Sequence, residues 1–183
     1  MEHNMSHPKS GGRGTEQDLT PVEARPLSAS ARRVQDALAA AGIATTVVEY
    51  TASARTSQEA ADVLGCTVGE IAKSLVFRRA DGGAVLVIAS GANRVDLAKV
   101  AAILGAAPGK ADADFARAAT GYAIGGIPPL AHAQPLVAIV DRDLLRYDRV
   151  FAAGGTPNAM FPIRPADLVR VAGGTVADVA LLA

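Results

Sequence analysis

Two apolar runs on either side of a turn constrain the fold of this chain most strongly. The runs SLVFR and AVLVIAS flank the turn sequence Asp81-Gly82-Gly83. Apolar runs of this length, bounded by turn residues, predict buried strands, and the short connection between them predicts a β-hairpin. We therefore expect the hairpin to belong to one central sheet.

Helices and further strands are predicted on both sides of the hairpin. Helical periodicity and capping signals predict helices over residues 28–42, 56–65, 67–73, 93–105, 112–121 and 165–174. The last of these helices has Pro165 at its first position. Apolar and β-branched runs predict strands over residues 45–50, 135–140, 149–155 and 159–164.

Three details of this assignment can be checked against the structure. Asn93 is expected to cap the helix over 93–105, with Leu97 among its inward-facing residues. Pro162 predicts that its strand lies at a sheet edge or carries a bulge. Strands and helices do not alternate cleanly, which argues against a doubly wound parallel fold. The predicted fold class is mixed α/β (α+β), with a central mixed or antiparallel sheet flanked by helices.

Length and composition indicate one globular domain. The chain has 183 residues, of which half are hydrophobic. Residues 1–26 are polar and aperiodic and predict a disordered tail, so the domain is expected over residues 27–183. The formal net charge is zero, which argues against a wide basic face for long nucleic acids. No apolar run reaches the length of a membrane span and no signal peptide is recognised, so we expect a cytoplasmic protein.

Lys73 is the first candidate for chemistry. It lies in EIAKSLVF, where a short predicted helix meets a buried strand. Partial desolvation at such a place makes an ammonium an electrostatic anchor or a tuned acid or base. The alternative is a lysine that reaches from the strand edge to water.

The loop in TGYAIGGIPPLAH is the second candidate, through Gly125, Gly126, Ile127, Pro128 and Pro129. Glycines allow main-chain amides to approach a ligand, and prolines fix the neighbouring backbone. Such a loop can donate N–H groups to an ester carbonyl, as an oxyanion hole does. The alternative is a plain turn between a helix and a strand.

Two further segments leave alternatives open. FAAGGTPN, with Gly154 and Gly155, is a hairpin turn or a second main-chain wall of a pocket. His132 is the only histidine of the predicted domain. It is a general base, or it forms a hydrogen bond to the loop backbone and fixes its shape; we favour the second role. Histidines and cysteines show no metal-ligand spacing, and we expect Cys66 to be a buried thiol.

Four segments in order resemble the YbaK/EbsC family, the domain associated with prolyl-tRNA synthetase. They are EIAKSLVF, GANRVDLAKV, TGYAIGGIPPLAH and VFAAGGTPNAMFPIRPADLVRVAGG. The resemblance runs from about Ala31 to Ala180. It implies the family's fold and the hydrolysis, without a metal or cofactor, of the ester in a mischarged tRNA. It also implies that Lys73 is the essential lysine and that the loop from Gly125 to Pro129 binds substrate, with Gly154 and Gly155 in a second glycine-containing strand.

This chain departs from the family pattern at two positions. Many members have Ser or Thr at the position of Pro128. A subset has PP-x-GH, with Gly where this chain has Ala131. The missing hydroxyl, and a pocket lined by Ala, Val and Ile, predict a small amino acid such as Cys or Ala as the residue removed.

The predicted function is therefore trans-editing of a mischarged tRNA, with tRNA-Pro as the expected substrate. The expected contact is with the tRNA 3′ end, delivered by prolyl-tRNA synthetase or an elongation factor because a neutral protein binds tRNA weakly. One alternative is a non-catalytic module that binds aminoacyl-tRNA 3′ ends or nucleotides. Another is a nucleic-acid-binding regulator that uses Arg32 and Arg33, although paired arginines on a short helix are more often a solvated face.

Overall fold

The computed structural model describes residues 24–52 and 54–182. Residues 1–23 of the predicted tail lie outside the described residues. The described chain begins with a two-residue strand, Ala24–Arg25, in which Arg25 pairs with Glu49. Ala24 and Arg25 are thus paired in the sheet, although the sequence predicts that they belong to the disordered tail.

The described residues form five α-helices and nine strands. The helices are α1 (Ala29–Ala40), α2 (Ser57–Leu64), α3 (Leu97–Leu104), α4 (Ala113–Thr120) and α5 (Pro165–Ala172). The strands are β1 (Ala24–Arg25), β2 (Val48–Tyr50), β3 (Ile71–Arg78), β4 (Ala84–Ser90), β5 (Gly109–Lys110), β6 (Val137–Asp141), β7 (Val150–Ala153), β8 (Ala159–Ile163) and β9 (Thr175–Ala177).

All of these strands belong to one mixed sheet, which confirms the predicted fold class. Its order is β1-β2-β8-β7-β3-β4-β6-β9, and β5 also pairs with β3. The pairs β3/β7, β4/β6 and β6/β9 are parallel, and the other pairs are antiparallel. Antiparallel and parallel neighbours therefore meet at β3 and β4, in the middle of the sheet.

The predicted hairpin is confirmed as the β3–β4 pair. Its register runs from Ala72 opposite Ser90 to Arg78 opposite Ala84. Every residue of β4 is buried, because hydrophobic clusters cover both faces of the strand. Leu86 belongs to the cluster that includes α1, whereas Val87 packs with Val100 of α3 on the other face. This double burial explains the uninterrupted apolar run.

The helix predicted over residues 67–73 is wrong. Only Val68–Glu70 form a single 3₁₀ turn, which Thr67 and Glu70 close with a capping box. The chain then enters β3 at Ile71, because pairing with β4 outweighs the short local helix signal. Lys73 is therefore the third residue of a central strand.

Two other expectations fail for identifiable reasons. Helix α3 begins at Leu97 with Asp96 as its N-cap, not Asn93, and the Leu97 side chain is 45% exposed. Strand β8 lies between β2 and β7 and is not an edge strand. Its proline is tolerated because β2 pairs with β8 only as far as Met160, so no β2 residue pairs with Pro162.

Candidate active site

A cavity of about 230 Å³ opens beside the N-terminal half of β3. Four segments line it: β3 itself, the start of α2, the loop after α4, and the turn between β7 and β8. The lining residues are Ala54, Arg55, Thr56, Ser57, Ala60, Ile71, Ala72, Lys73, Ser74, Leu75, Ile124, Gly125, Ile127, Ala153, Pro157 and Met160. The sheet and two glycine-containing segments thus meet at one opening.

The cavity lies where the sheet splits. On the edge of β3 away from β4, β7 pairs only with Ile71 and Ala72, and β5 pairs only with Phe77 and Arg78. Residues 73–76 have no strand partner on that edge among the described residues. A gap in the ladder leaves main-chain groups free to bind another partner.

The strand register shows which groups face the gap. The Ile71 carbonyl accepts a hydrogen bond from Gly91, which follows β4, so the main-chain groups of Ile71 and Lys73 point toward β4. Because main-chain directions alternate along a strand, the N–H and C=O of Ser74 point toward the gap. The Ser74 hydroxyl is also buried and has no hydrogen-bond partner among the described residues. This group was missed by the sequence analysis.

Lys73 lies in the cavity wall, half-buried. Its ammonium donates to the main-chain carbonyl of Asn93. Burial lowers the pKa of Lys73, and the negative charge of Asp141 partly offsets this shift. The side chain thus belongs to a cavity and does not simply extend from a strand edge into bulk water.

The loop after α4 has an exposed part and a buried part. Gly125 is exposed and lines the cavity, the buried Ile127 also lines it, and Gly126, Pro128 and Pro129 are buried and do not. The Gly126 N–H donates to the Ala123 carbonyl at 3.0 Å, so it is already used within the loop. The N–H groups of Gly125 and Ile127 have no acceptor among the described residues. The structure therefore moves the candidate donors from Gly126 to its two neighbours.

Gly126 is needed for the contact between the two glycine-containing segments. A Cβ at this position would lie 2.6 Å from Thr156 Cα, far inside van der Waals contact. The Gly155 N–H donates to the Gly126 carbonyl at 3.0 Å, and Gly155 has a φ of +104°. Gly154 and Gly155 are buried and do not line the cavity, so they support the loop while Ala153 and Pro157 line the cavity wall.

His132 lies outside the cavity lining and holds the loop from behind. Its Nε2 atom is 2.6 Å from the Pro128 carbonyl oxygen, and since a carbonyl only accepts, Nε2 carries the proton. Burial lowers the pKa of His132, and the bond to Pro128 partly offsets this. This geometry agrees with the bracing role, which the sequence analysis favours over a general base.

A polar network behind Lys73 was also missed. The Asn93 side chain donates to Asp141 at 2.8 Å and to Asp143 at 2.9 Å. Asn93 lies three residues after the end of β4, Asp141 is the last residue of β6, and Asp143 lies two residues after it. The signal was present in the sequence as polar residues at the ends of two apolar runs. It was obscured because a helix-capping role had been assigned to Asn93.

The described residues contain no group of three or more His, Cys, Asp or Glu side chains arranged to hold a metal ion. No helix in the described part of the chain is long and apolar enough to cross a membrane. The polar residues that line the cavity are Arg55, Thr56, Ser57, Lys73 and Ser74.

Comparison with known proteins identifies the family. A family model described as "Aminoacyl-tRNA editing domain" matches residues 51–171, which include every segment that lines the cavity. The chain belongs to the aminoacyl-tRNA editing domain family. This confirms the resemblance to the YbaK group.

Individual relatives agree with this assignment. The chain is 47% identical to a crystal structure described as a "putative trans-editing enzyme for prolyl tRNA synthetase", with a TM-score of 0.81 over 86% of this chain and all of the other. It is 33% identical to the structure of "hypothetical protein APE2540", with a TM-score of 0.76 over 81% of this chain and 99% of the other. It is also 30% identical to the uncharacterized protein YwhH of Bacillus subtilis over 67% of this chain and 78% of YwhH.

Proposed function

We propose that this editing-domain protein is an aminoacyl-tRNA deacylase, which hydrolyses the ester joining a wrong amino acid to the 3′ ribose of a tRNA. The observation that carries the proposal is the cavity, where Lys73 and two main-chain N–H groups without acceptors meet. Donors held in place around an opening are suited to stabilise the negative charge that develops on an ester oxygen.

The reaction is a transfer of the acyl group to water. Water adds to the ester carbonyl carbon, and the carbonyl oxygen becomes an oxyanion. The Gly125 and Ile127 amides and the Lys73 ammonium are the proposed donors to that oxygen. The bond to the ribose oxygen then breaks, and that oxygen takes a proton. The products are a free amino acid and a tRNA with a free 3′-hydroxyl.

The cavity lining contains no His, Asp or Glu among the described residues. We therefore propose that catalysis rests mainly on oriented donors. An aminoacyl ester is already activated, so stabilising the oxyanion is sufficient. When the amino acid is cysteine, its own thiol can add to the carbonyl, so that a cyclic thiolactone forms as the bond to the ribose oxygen breaks; water then opens the thiolactone to free cysteine.

The substrate is proposed to be a small amino acid, with Ala and Cys as the leading cases. Ala72, Ile127, Ala153 and Leu75 line a cavity of about 230 Å³, which limits the side chain that fits. Ser74 also lines the cavity, and its hydroxyl, which has no hydrogen-bond partner among the described residues, is the proposed contact for a thiol or hydroxyl of the substrate. Such pockets distinguish two amino acids that differ by one methylene by only about 1–3 kcal/mol in transition-state binding, so cross-reactivity is expected.

The proposed tRNA is tRNA-Pro, which is supported by the description of the 47% identical structure. The formal net charge of zero favours a short contact with the tRNA 3′ end. Prolyl-tRNA synthetase or an elongation factor is the proposed delivery partner, and the cytoplasm the proposed site of action.

A panel of aminoacyl-tRNAs tests this function. Purified protein is mixed with tRNA-Pro carrying Ala, Cys, Ser, Thr or Pro, and with tRNA-Ala carrying Ala as the matched control for the tRNA. We expect rapid hydrolysis of Ala- or Cys-tRNA-Pro and slow hydrolysis of Pro-tRNA-Pro. Binding of these substrates without hydrolysis of any would instead support the non-catalytic module.

A further inference from the structure

Asn93 links two carboxylates to the proposed catalytic ammonium. Its side-chain amide uses both hydrogens, one toward Asp141 and one toward Asp143. Its main-chain carbonyl accepts the hydrogen bond from Lys73. Asp143 is itself paired with Arg146 at 2.8 Å on the surface. One residue therefore connects the cavity to a polar cluster at the ends of β4 and β6.

Asp141 is the unusual member of this cluster. It is 0% exposed, and its oxygens accept three N–H groups, from Ser90, Asn93 and Asp143. No ion pair to Asp141 is found within the described part of the chain. Burying an unpaired carboxylate is costly even when its hydrogen bonds are satisfied. The negative charge of Asp141 raises the pKa of Lys73 and so partly offsets the effect of burial on that pKa.

We propose that Asn93 and Asp141 are positioning residues for Lys73: Asp141 fixes the Asn93 side chain, and the Asn93 carbonyl then holds the Lys73 ammonium at the cavity. This inference rests on the proposed deacylase function. A lysine side chain has four rotatable bonds and loses much rotamer freedom when it is held. A fixed carbonyl uses one of its three N–H groups and leaves two for the substrate.

A network that only stabilised the fold would have different effects from one that positions Lys73. Strands β4 and β6 already pair in parallel register from Val85 opposite Val137 to Ile88 opposite Val140. A cluster that only joined the ends of these strands would affect the free energy of unfolding and not the titration or the catalytic step of Lys73. Measurements made at Lys73 therefore distinguish the two roles.

The first measurement is kinetic and uses Asn93→Ala. This variant keeps the carbonyl that accepts from Lys73 and removes only the side chain that fixes it. We expect kcat for deacylation to fall by about 10-fold or more with KM changed by less than about 3-fold, because small misplacements of a reacting group are costly. The matched control is Arg146→Ala, which removes the partner of Asp143 but leaves both Asn93 hydrogen bonds in place, and should stay within about 2-fold of the parent.

The second measurement is an NMR titration of Lys73 in protein labelled with ¹³C at lysine Cε. The chain has only four lysines, so Lys73→Arg assigns the signal. The charged groups around Lys73 are Asp141 and Asp143 behind Asn93, Arg146 beyond them, and Arg55 in the cavity lining. Asp141→Asn removes the nearest negative charge, so the Lys73 signal should titrate at lower pH.

The signal of Lys99, which is paired with Asp178 elsewhere, is the internal reference. If Asp141→Asn does not fold, Asp143→Asn removes the negative charge of the second acceptor of the same amide and should shift the signal in the same direction by less. The inference is overturned if Lys73 titrates as in the parent in the folded variant, or if folded Asn93→Ala keeps the parent kcat. Failure of the parent to hydrolyse any substrate would refute the proposed function, and the titration would still decide whether the network holds Lys73.

Discussion

The two walls of the cavity are built on different principles. The β3 wall presents the Lys73 side chain, beside the main-chain groups of Ser74, on a strand at the middle of the sheet. The loop wall presents main-chain amides, those of Gly125 and Ile127, on a segment without regular secondary structure. Hydrogen bonds to buried polar groups orient the first wall, whereas close packing of two backbones shapes the second.

This difference predicts how each wall responds to mutation. The Lys73 side chain can be removed with little effect on the fold, because β3 is held by its pairing with β4. The loop tolerates no added volume at Gly126, because the backbone of Thr156 fills that space. Loss of Lys73 in the strand wall should therefore lower activity without lowering stability, whereas an added side chain in the loop wall should lower both.

The largest effect on the loop wall is expected for Gly126→Val. Its Cβ would overlap Thr156, and overpacking typically costs about 1–3 kcal/mol or more. We expect thermal melts to show a lower Tm, by roughly 2–4 °C per kcal/mol for a domain of this size. Deacylation should fall by about 10²-fold, because the donors on either side of residue 126 move.

Gly125→Ala is the matched comparison for that variant. Its Cβ would meet Pro157 only at ordinary contact distance, 3.7 Å, but φ is +90°. We expect a smaller loss of stability, about 1 kcal/mol. If Gly126→Val melted and hydrolysed like the parent, the packing account of the loop would be wrong.

A smaller effect is expected for His132→Gln. Loss of the bond to Pro128 should loosen the loop and lower activity several-fold, but a brace leaves the shape of the pH–rate profile unchanged. Burial lowers the pKa of His132 in the folded state, so the folded state favours the neutral imidazole. Its contribution to stability is present above the unfolded pKa, about 6.5, and is lost as pH falls below it.

Two titrations therefore check the brace. The parent should lose stability as pH falls below about 6.5, and His132→Gln should lose less over the same range. An acid limb in the rate profile of the parent that vanished in His132→Gln would instead identify a general base.

The smallest effect is expected for Ala131→Gly, just beyond the same loop. Ala131 is the only described non-glycine residue with positive φ, at +63°. Glycine adopts this conformation without a Cβ penalty, but it gains entropy in the unfolded chain. We expect a stabilisation of about 1 kcal/mol or less by thermal melts, with unchanged deacylation. A clear loss of stability would show that the Ala131 methyl group contributes packing that outweighs the strain.

The sequence predicted the elements that depend on short stretches of neighbouring residues. The β3–β4 hairpin followed from apolar runs and a turn, and the placement of Lys73 and the Gly-Pro loop in one site followed from the family resemblance. The position of β9, after the helix expected to close the fold, depends on pairing with β6 and has only a weak local signal. The use of the Gly126 amide within the loop could not be predicted, because it depends on where Ala123 folds back.

The central claim is that Lys73 and the cavity perform ester hydrolysis, and a single-turnover assay tests it most directly. Parent and Lys73→Ala proteins are mixed in excess with Ala-tRNA-Pro and Cys-tRNA-Pro, and melts confirm that both proteins are folded. The account predicts a loss of about 10²-fold or more in the rate of deacylation with a nearly unchanged Tm, since one half-buried lysine contributes little to stability. Equal rates in parent and folded Lys73→Ala would contradict it.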